Sequence, residues 1–78
     1  MSKLSAERIK LETAKFLKVS QDRMGDDVVL STLVAQSFLL IEMIMHLQEE
    51  LDVMLIQEDL KNVRTVGDLV AVFLRKQP

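Results

Sequence analysis

Ala6, Ile9, Thr13, Phe16 and Leu17 recur at three- and four-residue spacing on one face of the N-terminal segment, with Lys10 and Lys15 off that face. This spacing predicts an amphipathic helix over residues 3–18. Residues 20–36 then break the pattern with Ser20, Asp22, Gly25, Asp26, Asp27 and Ser31. So long a connection is uncommon in a compact domain. Val28, Val29, Leu30, Leu33 and Val34 within it are expected to fold back onto the core, which favours partial structure. Ser37 is a good N-cap residue ahead of a strongly apolar run, and a second helix is expected over 37–51. Residues 52–56 read as a connection and 57–61 as a short third helix. Thr65 and Asp68 have the spacing of a capping box, which places a last helix over 66–76 with Leu69, Val72 and Phe73 inward and Val66 one turn earlier. No strand pattern of useful length is present, although 63–66 suits an extended chain. The expected fold is all-α: a small four-helix bundle of three longer helices and one short third helix, with a long first loop.

The second helix has two apolar faces. At about 100° per residue, Leu40, Met43, Ile44, Leu47 and Leu51 fall on one stripe, sufficient to dock the helix on a core. Phe38, Ile41 and Met45 fall on another, bordered by Glu42 and Glu49. A helix that only had to fold would not need the second stripe. An apolar patch rimmed by acids is suited to docking a partner. Two other occupants compete for it: the 20–36 loop, or a second copy of the chain.

Size sharpens this reading. The chain has 78 residues, 49% hydrophobic and 28% charged, which is the balance of one folded domain over 1–78. Area scaling buries about 63% of the unfolded surface, too little to enclose a deep active site. The absence of cysteine removes disulfides, zinc fingers and a thiol nucleophile. No leader pattern and no apolar run of about 20 residues is present, so a cytoplasmic, soluble protein without a membrane span is expected. The net charge of −2 is unevenly divided: residues 1–19 carry +3, 20–60 carry −8 and 61–78 carry +3. The acidic middle attracts basic partners and repels nucleic acid, unless it serves only as a solvated face.

Few residues suggest catalysis. His46 is the single histidine, and a zinc site needs more. A triad of Ser37, His46 and Glu50 fails because nine residues along one helix separate the first two by ~13 Å. Glu49, Glu50 and Asp52 lack calcium-loop spacing, and Gly25 and Gly67 do not make a phosphate-binding loop. The expectation is a protein with no catalytic residues and no metal ligands. Ser37 stands apart. A serine at a helix start, after a loop and before a docking face, is well placed to carry a phosphate ester, whose charge the open N–H groups and the helix dipole stabilise. The same serine also reads as a simple cap.

The chain resembles the acyl carrier proteins and the wider superfamily of phosphopantetheine-carrying domains. The family's Leu-Gly-x-Asp-Ser-Leu signature aligns with Leu33-Val34-Ala35-Gln36-Ser37-Phe38. The run from Ile41 to Leu51 is similar to the family's recognition helix, and Thr65-Val66-Gly67-Asp68-Leu69 to the start of its fourth helix. The resemblance implies that a phosphopantetheinyl transferase attaches 4′-phosphopantetheine from coenzyme A to Ser37, and that the arm carries acyl or aminoacyl thioesters. It implies that Phe38, Ile41, Glu42, Met45 and Glu49 meet acyl-loading, condensing or modifying enzymes through basic docking patches. A non-enzymatic, monomeric carrier is expected. Val34 stands for the usual glycine, Gln36 for aspartate, Phe38 for leucine, Leu39 for a frequent acid and Ile56 for a common proline. These departures favour a stand-alone carrier in a specialised polyketide, nonribosomal peptide or lipid pathway. The alternatives are a housekeeping fatty-acid carrier and a carrier-like interaction module that is never modified.

Overall fold

In the computed structural model, which describes residues 4–77, the first helix, α1 (Ala6–Leu17), starts where Ser5 can cap it. The Arg8 N–H donates to Ser5 Oγ at 3.1 Å. The expected helical position at residue 3, and Pro78, lie outside the described residues. At the other end Lys18 turns left-handed (φ 59°), and its N–H and that of Val19 return to carbonyls of the last turn. Within α1, Ile9 and Thr13 are buried as expected. Thr13 stays satisfied by donating its hydroxyl to the Ile9 carbonyl at 2.7 Å. Glu12 is buried as well, beside Arg8 at 3.3 Å and Lys15 at 3.7 Å.

The 20–36 segment is not a plain connection. It contains a 3-10 turn at Gln21–Arg23 and a one-turn helix, α2 (Leu30–Leu33), an element beyond the expected four. Between them a turn at Asp26–Asp27 leads into a short extended stretch that pairs with the residues leading into the last helix. The Gly67 N–H donates to the Asp26 carbonyl at 2.8 Å, Val66 to Val28 at 2.9 Å and Leu30 to Arg64 at 2.9 Å, around an antiparallel bridge of Val29 with Thr65. Extended chain alternates its faces. Leu30 is therefore buried, Val28 half-buried, and Val29 turned outward at 44% exposure, against the expectation that it joins the core.

Helix α3 (Ser37–Leu51) ends at Asp52, also left-handed (φ 55°). The next residues are extended and pinned by Gln48 Oε1, which accepts the Leu55 N–H at 2.8 Å. Then come α4 (Gln57–Leu60) and α5 (Val66–Lys76). Thr65 and Asp68 form the expected capping box: Asp68 N–H to Thr65 Oγ1, and Thr65 N–H to Asp68 Oδ2, each 3.1 Å. Helix α1 packs against both α3 and α5. Ile9, Met43, Leu47, Leu69 and Phe73 are fully enclosed at their junction. The described residues form an all-α fold, and none of its helices is long and apolar enough to cross a membrane.

Candidate functional site

Ser37 is exposed at the head of α3, and its local geometry differs from the expected cap. Gln36 is the N-cap: its backbone is extended (φ −101°, ψ 127°), and its carbonyl accepts from Leu39 at 3.1 Å and Leu40 at 3.3 Å. Ser37 is thus the first residue inside the helix, one position too late to cap it. No side chain caps α3, whereas Ser5 and Thr65 cap α1 and α5. The first turn also holds no acidic residue. The positive end of the dipole therefore has no negative side chain to answer it.

The two faces of α3 separate as the periodicity requires. Met43, Ile44, Leu47 and Leu51 are buried, while Leu40 at the edge of the stripe is half-buried. On the other face Phe38 is 60%, Ile41 57% and Met45 58% exposed, so the 20–36 segment does not cover them. Glu42 and Glu49 are exposed beside them and, with Met45, Phe16 and His46, line a shallow cleft between α1 and α3. The His46 ring is half-buried there against Phe16, with centroids 5.1 Å apart. Glu49 and Glu50 sit in the last turn of α3, where the dipole is negative and no basic residue offsets them. That placement opposes helix stability, so folding does not account for it.

Beyond the expected contact set, the segment after α3 exposes two more apolar residues. After Asp52 the chain alternates: Val53 and Leu55 are buried, Met54 is 78% exposed and Ile56 57%. Met54 shares a second cleft with Met45, Gln48, Glu49 and Asp52. The signal was a four-residue run of period two, too short to distinguish from an irregular connection. At the helix start, Val34, Gln36 and Leu39, three of the positions that depart from the family's usual residues, line a groove with Leu17, Leu33 and Phe16, the last shared with the cleft between α1 and α3.

Residues 7–73 match the family model described as phosphopantetheine attachment site, and the chain belongs to that family. The protein is therefore a carrier, with thioester cargo borne on covalently attached 4′-phosphopantetheine. The comparison with curated proteins returned no match. The helix start suits this cofactor: Ser37 is exposed at the first position of a helix whose backbone N–H groups no side chain caps, with no carboxylate in the first turn to repel a phosphodiester.

Proposed function

We propose that Ser37 is the attachment residue and that α3 is the face partner enzymes read. The observation that carries this is the exposed Ser37 on a helix start that no side chain caps, one residue before the exposed apolar face. In the transfer, Ser37 Oγ attacks the pantetheine-side phosphorus of coenzyme A. A new O–P ester forms, the pyrophosphate bond breaks, adenosine 3′,5′-bisphosphate leaves, and the hydroxyl proton passes to the transferase. Once attached, the arm supplies a terminal thiol for acyl or aminoacyl thioesters. The open N–H groups of α3 stabilise the phosphodiester charge. Phe38, Ile41 and Met45 provide apolar contact area, and Glu42 and Glu49 steer basic patches on acyl-loading, condensing or modifying enzymes. The dipole-opposed Glu49 and the water-exposed apolar side chains are understandable on this reading, since both cost stability and neither serves the core.

The chain acts as a single, monomeric, stand-alone carrier in the cytoplasm, where coenzyme A is available, and is not itself an enzyme. Gln36 and Leu39 remove two acids beside the attachment residue. This supports a dedicated partner set in polyketide, nonribosomal peptide or unusual lipid assembly over general fatty-acid synthesis. Incubation with coenzyme A, magnesium and a broad-specificity phosphopantetheinyl transferase is expected to add one phosphopantetheine by intact mass, and Ser37→Ala to abolish the gain. Unmodified wild type, both in this assay and when purified from its host, would leave only an interaction module.

A further inference from the structure

The groove between the end of α1, α2 and the start of α3 has a volume of about 300 Å³. It lies at the lower limit of small-molecule sites. Phe16, Leu17 and Leu33 are half-buried in it, and Leu39 is 37% exposed. Ala35 and Gln36, the two residues before Ser37, also line it. The contact with His46 holds the Phe16 ring in place. So open a groove would bind a free ligand weakly. A ligand tethered at the adjacent residue is different, because attachment makes docking intramolecular and raises its effective concentration to about millimolar. The first apolar part of the arm beyond its phosphate is the carbon bearing two methyl groups, a single methylene removed from the ester oxygen. Its burial against Leu33, Leu39 and Phe16 takes apolar surface of both partners out of water.

We propose that this groove seats the geminal-dimethyl segment of the arm, resting it on the α1 side of the helix start. The proposal depends on attachment at Ser37. A resting place there keeps the arm off Phe38 and Ile41, which lie around the helix from Leu39, and brings it beside the cleft that Phe16 shares with Met45.

The test uses NMR on protein loaded from coenzyme A labelled with ¹³C in the pantoyl methyls, with intact mass measured on the same sample. Nuclear Overhauser contacts are expected from the arm methyls to the Leu33 and Leu39 methyls and to the Phe16 ring. Leu39→Glu is expected to lose them with the mass gain intact, and Leu11→Glu, an exposed α1 residue that does not line this groove, to keep them. Full mass gain with the arm methyls at their free-solution shifts and without these contacts overturns the groove assignment alone. Absence of any mass gain on wild type, both in this loading and in protein purified from its host, overturns the attachment at Ser37 and the groove assignment with it.

Discussion

Gly67 shows how a single residue joins the loop to the last helix. A Cβ added there would lie 2.8 Å from the Asp26 carbonyl oxygen and 3.2 Å from Asp26 Cβ. The nearest obstacle is backbone, which yields only if the loop moves. The same loop strand supplies the 2.8 Å bond to the Gly67 N–H. Gly67→Ala is therefore expected to cost about 1–3 kcal/mol as a forced overpacking, read as a fall in Tm. Gly25→Ala is the control, since its added Cβ would meet only side-chain atoms at ordinary contact distance, of Val28 at 3.4 Å and Asp27 at 3.6 Å. Equal melting of both variants would show that the loop gives way freely. In the sequence Gly67 was recognisable as part of a capping segment, but its steric reason was not. The obstacle comes from Asp26, which is remote in the chain and carries no local signal of the approach.

Helix α3 is the element where sequence and structure agree most closely, because fifteen residues of sustained 3.6-residue period leave little freedom in assigning faces. Leu47 is fully buried, and Leu47→Ala is expected to cost about 2–5 kcal/mol in chemical denaturation. Met45→Glu is expected to stay within about 0.5 kcal/mol of wild type, as an exposed substitution, while weakening binding to a partner enzyme in calorimetric titration. A large stability loss in Met45→Glu would place that side chain in the core. The limits of legibility lie at the ends of α3. Serine favours the cap position, so the sequence points to Ser37, but the extended backbone of Gln36 moves the boundary by one residue. Past Asp52, the exposure of Met54 and Ile56 follows from extended chain, whose short alternation resembles irregular sequence.

Across the whole molecule, ties between distant residues close the fold, and no periodicity announces them. Lys10 reaches Asp26 at 2.7 Å, the Leu4 N–H donates to Gln77 Oε1 at 3.1 Å, and Asp59 joins α4 to the end of α5 through Lys76 at 3.3 Å and Arg75 at 3.8 Å. Two of the carboxylates that hold chain segments in place also make stability depend on pH. The Ile56 N–H, and then the Lys76 and Arg75 charges, hold the Asp59 carboxyl below its ordinary value of 3.8. The Arg64 and Thr65 N–H groups do the same for Asp68. A carboxylate whose pKa is lower folded than unfolded contributes stability that is complete above its unfolded pKa. That contribution is lost as pH falls through the folded value, because the unfolded chain takes up the proton first. Tm is therefore expected to be insensitive to these two groups above about pH 5 and to fall increasingly as acid carries the solution below 3.8. Asp59→Asn keeps an acceptor for the Ile56 N–H but loses both charge pairs. It should melt lower than wild type at pH 7 and show a shallower acid-side decline, with the gap narrowing as pH drops. Added salt should narrow the gap at pH 7 as well, since the Arg75 side chain is largely exposed and its attraction screened. Parallel Tm curves for wild type and Asp59→Asn from pH 7 to 2.5 would remove Asp59 from the acid response.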